Sequence, residues 1–145
     1  MEPLDQNVSL AAKRRTGRSR PVGQGASILV VDDDQSICDV LSDILATAGH
    51  RITKCLDGHS ALEVIGRSQF DLVITDLGMP GMSGLELAEL IHAAIPDLPV
   101  VLVTALGSQF TDADVVRGGI AAVLDKPFHF HQLHDTVNKA LKVVA

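Results

Sequence analysis

The chain has 145 residues and a mass of 15.4 kDa, which suits one domain with an ordinary hydrophobic core. Hydrophobic residues make up 46% of it, but no apolar run approaches the length that spans a bilayer. The N-terminus shows no apolar core of a signal peptide, so we expect a cytoplasmic protein that does not bind membranes.

The net charge of −6 is distributed unevenly along the chain. Residues 1–26 hold five basic and two acidic side chains, a charge of +3, so the remainder carries −9. This first segment is polar, rich in Gly and without periodicity, which predicts a disordered basic arm or an interdomain linker. Its basic run, Lys13 to Arg20, is more often a solvated tail than a nucleic-acid or membrane contact. The acidic remainder argues against nucleic-acid binding by the folded part.

From residue 27 onward, strand and helix patterns alternate. Strands are predicted at 27–32, 50–56, 70–76, 99–104 and 120–125. Four of them are short continuous apolar runs, typical of parallel strands covered on both faces. The second is more polar and contains Lys54, which suits the edge of a sheet. Five βα units predict an open, doubly wound parallel α/β sheet with helices on both faces, over residues 27–145.

The helices between the strands carry their own start and stop signals. Gly49 is placed to end the first helix, and Ser83 with Glu86 forms a capping-box pattern ahead of the third. The segment Gly107 to Gly119 has the weakest helical pattern, because it holds few large apolar residues. The last helix has one apolar face, which begins at Phe130.

Acidic residues end three of the predicted strands, and ligands on such sheets bind at the carboxyl ends of the strands. The carboxylates are in Asp32-Asp33-Asp34, Asp76 and Asp125, the last being followed by Lys126. Carboxylates grouped in this way repel one another unless a divalent cation and a transferable phosphoryl group neutralise them. Asp76 can then act as a nucleophile toward phosphorus, Asp32 and Asp33 can hold Mg²⁺, and Lys126 and Thr104 can contact phosphoryl oxygens.

Four stretches, in this order and spacing, make residues 27–145 resemble the receiver domain of bacterial two-component response regulators. They are Ile28 to Asp34, Asp71 to Gly84, Val103-Thr104-Ala105 and Lys126-Pro127-Phe128. The resemblance implies a flavodoxin-like sheet of five strands in the order 2-1-3-4-5 with five helices. The chemotaxis member of the family is a standard example of a doubly wound sheet with this strand order.

The resemblance also implies the function. Asp76 would accept a phosphoryl group from a histidine kinase or a histidine phosphotransfer protein, and the output would be binding of a downstream protein target. Asp33 and Asp76 would ligate Mg²⁺ directly, Asp32 largely through water, and the Gly78 carbonyl would complete the protein ligands. Thr104 and Lys126 would contact the phosphoryl oxygens. The domain would be no enzyme beyond its own phosphoryl acceptance and slow dephosphorylation.

Other titratable or polar residues are expected to be structural. Asp34 is predicted to cap the first helix, Cys38 and Cys55 to be buried and reduced, and the histidines of the last helix to be solvated. These histidines are His129, His131 and His134.

The sequence departs from the receiver pattern at Val123, where receivers usually place Tyr or Phe three residues before the Lys. Phosphoryl acceptance does not need this ring, so the departure concerns how the output face switches. Gly78, two residues after Asp76, leaves the phosphoryl group less shielded by a side chain.

Two other functions stay open. One is a receiver-like binding module that is never phosphorylated. The other is a phosphatase of the haloacid dehalogenase type, in which Asp32 and Asp34 would be the nucleophile and the acid. The sequence also leaves open whether the domain stands alone or is part of a hybrid histidine kinase.

Overall fold

Parallel strands alternate with helices in this protein, whose computed structural model describes residues 25–105 and 111–144, with side chains through residue 142. The strands are β1 (Ser27–Val31), β2 (Arg51–Cys55), β3 (Leu72–Asp76), β4 (Val100–Thr104) and β5 (Ile120–Asp125). The helices are α1 (Gln35–Thr47), α2 (Gly58–Arg67), α3 (Gly84–Ala94), α4 (Asp112–Gly118) and α5 (Phe130–Val144). Each predicted strand is therefore confirmed to within two residues at either end.

All strand pairs in the sheet are parallel, and their order is β2-β1-β3-β4-β5. This is the order that the resemblance implied. Val31 pairs with Thr75, Asp76 with Val103, and Thr104 with Asp125. Each of these residues is the last or the next-to-last residue of its strand. The carboxyl ends of β1, β3, β4 and β5 therefore meet at one edge. We call this edge the carboxyl edge.

Helices cover both faces of the sheet, as the alternating pattern predicted. Side chains of β1 alternate between two buried clusters, with Ile28 and Val30 in one and Leu29 and Val31 in the other. The first cluster is completed by α1 and α5, and the second by α2 and α3 with a smaller part of α4. Among the described residues, no helix is long and apolar enough to cross a membrane.

Helix starts and ends follow the capping signals in the sequence. Asp34 is the N-cap of α1 and accepts a hydrogen bond from the Ser36 N–H at 2.8 Å, so its capping role is confirmed. Ser83 and Glu86 form the predicted capping box of α3. Gly49 follows α1 with a φ of 95°, a left-handed conformation that glycine adopts without steric cost.

Part of the weak helical segment Gly107 to Gly119 forms helix α4. Within the described residues α4 begins at Asp112, where Thr111 and Asp114 form another capping box. Residues 106–110 lie outside the described part of the chain. The capping box explains the start at Asp112, since it satisfies backbone N–H groups that a helix leaves unpaired at its N-terminus.

Coverage of β5 differs from the expectation of a strand buried on both faces. Ala121 and Asp125 are exposed, and Ala122 and Val123 are only partly covered. The cause is topological, because β5 lies at the edge of the sheet beside β4 alone. The edge position predicted for β2 from its polarity is confirmed.

At the opposite edge of the sheet, the amino edge, two side chains accept hydrogen bonds from the backbone at the start of β1. The Nδ1 atom of His50 accepts a hydrogen bond from the Ala26 N–H at 2.9 Å. The Asp71 carboxylate accepts one from the Ser27 N–H at 2.8 Å. These bonds satisfy backbone N–H groups at the entry into β1.

We expect both cysteines to resist alkylation in the native protein. Cys38 and Cys55 are free, and they are buried in different clusters on opposite faces of the sheet. Burial, with a smaller contribution from the charge of Asp32, raises the pKa of Cys38 to about 11, and burial also raises the pKa of Cys55. Few thiolates therefore exist at a mildly alkaline pH.

The measurement is a titration with a thiol reagent, in buffer and in denaturant. Both thiols should react at once in denaturant and neither in buffer. Rapid reaction of a native thiol would show that the cluster around it opens.

Candidate functional site

Three carboxylates meet at the carboxyl edge. Asp32 and Asp33 follow β1, and Asp76 ends the neighbouring strand β3. One oxygen from each of the three lies within 4.8 Å of the others. Asp32 is 2% exposed, whereas Asp33 is exposed and Asp76 is partly exposed. Negative charges at these distances, with one of them buried, repel strongly unless cations lie near them.

Lys126 supplies a cation at this place. Its ammonium nitrogen is 3.1 Å from Asp76 Oδ1 and 3.5 Å from Asp32 Oδ2. Its backbone N–H donates to the Thr104 carbonyl at 2.9 Å, which fixes the chain directly after β5 against the end of β4. The lysine is therefore held between two of the three carboxylates.

Burial and charge shift the pKa values of this group. Burial raises the pKa of Asp32 above its ordinary value of 3.8, and the nearby charge of Asp76 adds to the rise. A hydrogen bond from the Asp34 N–H at 2.9 Å and the charge of Lys126 oppose it. For Lys126, burial lowers the pKa, but the hydrogen bond to Asp76 and the two carboxylate charges outweigh it and raise the pKa. Lys126 is thus a full positive charge at neutral pH.

The other two predicted site residues lie at the same edge. Thr104 ends β4 and is buried, next in the sheet to the strand that ends with Asp76. Gly78 lies in the loop after Asp76 and is exposed, and a methyl group added to its Cα would meet no atom within 4 Å. Their roles toward phosphate and metal stay predictions.

The loop from Leu77 to Ser83 is held against the end of β3. The Leu77 N–H donates to the Val103 carbonyl at 3.3 Å, and the Gly84 N–H donates to the Leu77 carbonyl at 2.9 Å. Met79 is buried in the core. At Gly84, a Cβ atom would overlap the carbonyl oxygen of Asp76. The backbone of Asp76 is therefore in contact with the first turn of α3.

Gly84 has no role of its own among the residues predicted from the sequence, although a signal was present. A helix start has no need of glycine at its first residue, where most side chains are tolerated, so Gly directly after an N-cap Ser suggests a close backbone approach. The structure shows that this approach is made by the strand that carries Asp76.

Asp34 and the histidines of α5, which the sequence offered as possible acid or metal ligands, do not belong to this group of carboxylates. The Asp34 carboxylate is used as the N-cap of α1, which leaves the phosphatase hypothesis without its second carboxylate. His131 and His134 lie beside the exposed ring of Phe130, with ring centroids 4.3 Å and 6.1 Å from it. In the described part of the chain, a group of three potential metal ligands forms at Asp32, Asp33 and Asp76 and includes no histidine.

The chemistry of this group fits Mg²⁺. Mg²⁺ is a hard cation that binds carboxylate and carbonyl oxygens and keeps several waters. Asp33 is exposed and Asp76 is partly exposed, so solvent can complete the coordination. A cation there would also offset the repulsion between Asp32 and Asp76 that contributes to the raised pKa of Asp32.

Comparison with known proteins agrees with the geometry. The family model for the response regulator receiver domain matches residues 28–138. The response regulator FleR of Pseudomonas aeruginosa is 41% identical over 112 residues, 77% of this chain and 24% of that protein. The transcriptional regulatory protein ZraR of Escherichia coli is 38% identical over 114 residues, 79% of this chain and 26% of that protein. The chain thus spans about a quarter of the length of these curated relatives.

Solved structures show the same fold. The response regulator TrrA of Thermotoga maritima, solved in complex with Mg²⁺-BeF, superimposes with a TM-score of 0.73 at 34% identity, over 79% of this chain and 97% of that one. The chemotaxis response regulator CheY4 of Vibrio cholerae gives 0.75 at 28% identity, over 81% and 99%. The described sheet order and helices are those of this flavodoxin-like receiver fold.

Two glycine-to-alanine changes test how the loop after Asp76 is built. Gly84→Ala should lower the free energy of unfolding by about 1–3 kcal/mol, because the added methyl group overlaps the backbone of Asp76. Gly78→Ala is the matched control. It should keep the wild-type stability or raise it by up to about 1 kcal/mol, because its methyl group meets nothing. Urea denaturation followed by circular dichroism measures both, and equal stabilities would contradict the described contact.

Proposed function

We propose that this chain, which belongs to the family of response regulator receiver domains, is a signalling module switched by phosphorylation of Asp76. The observation that carries the proposal is the position of Asp76, within 4.8 Å of two further carboxylates and hydrogen-bonded to Lys126. Receiver domains are signalling modules and not classical enzymes, and the proposed phosphoryl donor is a phosphohistidine on a histidine kinase or a histidine phosphotransfer protein.

In the proposed step, a carboxylate oxygen of Asp76 forms a bond to phosphorus as the phosphorus–nitrogen bond of the phosphohistidine breaks. The electron pair of the broken bond stays on the imidazole nitrogen, and Asp76 becomes an acyl phosphate. Water later hydrolyses this acyl phosphate to the free carboxylate and inorganic phosphate. The protein contributes mainly position and charge, as is general for phosphoryl transfer.

Lys126 and Thr104 are proposed to hold the phosphoryl group. The ammonium of Lys126 already lies 3.1 Å from an Asp76 oxygen, so a small movement transfers its hydrogen bond to a phosphoryl oxygen. Its raised pKa keeps it charged for this role. Thr104, buried at the end of the adjacent strand, offers a hydroxyl donor to a second oxygen.

Asp32, Asp33, Asp76 and the Gly78 carbonyl are the proposed Mg²⁺ ligands, with Asp32 acting largely through water. When bound there, Mg²⁺ would supply positive charge that offsets the repulsion among the carboxylates and the charge of the phosphoryl oxygens. The similar protein TrrA was solved in complex with Mg²⁺-BeF, which supports the proposal that this fold holds Mg²⁺.

The output is proposed to be binding of a downstream protein target by residues 27–145, with residues 1–26 as a basic arm or linker. Val123, where receivers usually carry an aromatic ring, packs partly buried against the core and pairs with Leu102. A switch through a swinging ring is therefore unavailable at this position. We further propose a cytoplasmic location and no nucleic-acid binding by the folded domain, whose charge is −9.

The chain should gain one phosphoryl group when it is incubated with a small phosphodonor and Mg²⁺. Asp76→Asn should gain none, because an amide is not a nucleophile toward phosphorus. Asp97→Asn, a change at an exposed carboxylate near the amino edge, is the matched control and should react like the wild type. Intact mass spectrometry measures the adduct.

The alternatives predict different masses. An adduct that survives in Asp76→Asn and is lost in Asp32→Asn would support the phosphatase hypothesis. No adduct in any variant, together with no beryllofluoride binding to the wild type, would favour the unphosphorylated binding module.

Mg²⁺ binding should depend on Asp33 and on pH. Asp33→Asn removes one negative ligand, so Mg²⁺ affinity should fall about tenfold or more, about 1.4 kcal/mol or more.

In the wild type, protons compete with Mg²⁺ at Asp32. Since the pKa of Asp32 in the folded protein is raised, affinity should begin to fall at a higher pH than for an ordinary aspartate.

The same shift sets the sign of the effect on stability without metal. The neutral form of Asp32 is favoured by folding, so this group's contribution to the free energy of unfolding increases as the pH falls through its raised pKa. Isothermal titration calorimetry measures the affinity, and thermal unfolding with and without Mg²⁺ measures the stability. Unchanged Mg²⁺ affinity in Asp33→Asn would remove Asp33 from the ligand set.

A further inference from the structure

A groove lies on the face of the sheet that α2 and α3 cover. It is lined by His59 of α2, by Gly81 and Met82 of the loop, and by Glu86, Glu89 and Leu90 of α3, and has a volume of about 440 Å³. The groove is open to solvent, and its lining shares no residue with the carboxylate group at the carboxyl edge. Nothing in the proposed phosphoryl chemistry uses it.

The lining combines the apolar side chains of Met82 and Leu90 with the acidic side chains of Glu86 and Glu89. Leu90 is 47% exposed, because it lies beside the buried face of α3, which is formed by Leu87, Ala88 and Ile91. Glu86 is exposed, and Glu89 is partly buried and paired with Arg117 of α4. A single exposed leucine has no significance by itself. An exposed leucine in a concave groove beside two carboxylates fits a peptide that carries both apolar and positively charged side chains.

The chain contains a segment of this chemistry. Residues 13–20 hold five basic side chains and no acidic one, and Val8 and Leu10 precede them. The charge of +3 on residues 1–26 is complementary to the −9 of the remainder. From Lys13 to Gly25 the chain spans up to about 40 Å when extended. A domain of this size has a radius of gyration of roughly 14 Å, so the segment is long enough to reach either face.

We propose that the basic segment Lys13–Arg20 binds the groove of its own chain, with its cations at Glu86 and Glu89 and its apolar neighbours at Leu90 and Met82. The covalent connection makes the binding intramolecular, with an effective concentration on the order of millimolar. Weak charge pairing therefore suffices for the segment to occupy the groove. Because Gly81 and Met82 belong to the loop after Asp76, the bound segment lies beside that loop.

The test places a spin label in the segment and observes which amide signals it broadens. Ser19→Cys in the full chain adds a thiol for the label, while Cys38 and Cys55 are buried and have raised pKa values. The proposal expects loss of the Met82, Glu86 and Leu90 amide signals. The signals should return near 1 M salt, where the screening length falls to about 3 Å.

Paired variants separate groove binding from general attraction. Glu86→Gln with Leu90→Ser removes one charge and the apolar contact, and the new side-chain amide retains a carbonyl oxygen that can accept the capping hydrogen bond from the Ser83 N–H. The matched control, Asp43→Asn with Val40→Ser, makes equivalent changes on α1, which covers the opposite face. Broadening should vanish in the first variant and persist in the second.

Other outcomes overturn the proposal. The segment does not bind the groove if the spin label broadens no amide signals, or if it broadens them equally in both variants. The same conclusion follows if the broadened signals are those of Asp33 or α1. A mixture of spin-labelled protein with isotope-labelled, spin-free protein identifies a second copy. If the groove signals broaden equally in this mixture, the segment binds between molecules and the intramolecular proposal is wrong. Omitting the phosphodonor keeps this result separate from the phosphorylation test.

Discussion

Repulsion among Asp32, Asp33 and Asp76 is the constraint on which the arrangement of this protein depends. One of these carboxylates is 2% exposed, and water cannot screen it as it screens surface charge. The sheet order makes the grouping unavoidable, since it places β3 directly beside β1 and both strands lead into aspartate at the same edge. The repulsion is balanced in part by Lys126, which follows β5 and reaches two of the three carboxylates.

Packing around Asp76 keeps the repelling groups in place. The backbone after Asp76 is held at the edge, because Gly84 contacts the Asp76 carbonyl and Met79 is buried in the core. The capping box then fixes the start of α3 immediately after this contact. Lys126 is fixed in the same manner, through the hydrogen bond of its backbone N–H to Thr104. Close packing therefore holds the carboxylates together against their mutual repulsion.

Most of the fold could be predicted from the sequence because its signals are local. Apolar runs located the strands, and Asp34, Gly49 and the pair Ser83–Glu86 located helix ends, each through contacts within a few residues. The grouping of aspartates also followed, since parallel strands bring their carboxyl ends together. The apolar run of β5 by itself could not give the partial exposure of this strand, which depends on the strand's place in the sheet. The Gly84 contact could not be predicted either, because it joins two elements. The groove beside α3 could not be predicted either, because its shape depends on how α2 and the loop pack against that helix.

A comparison of two aspartates explains why the carboxyl edge is the candidate site. Asp71, at the amino edge, is buried and its carboxylate accepts a hydrogen bond from the Ser27 N–H, so it serves the entry into β1. Asp32 is buried to a similar degree and also accepts a backbone hydrogen bond, from Asp34. Asp32, however, faces a second carboxylate, that of Asp76, whose charge adds to the burial that raises its pKa. Two carboxylates this close, with one of them buried, oppose stability, and such perturbed groups are typical of functional sites, in agreement with the proposed binding of a cation and a phosphoryl group at this edge.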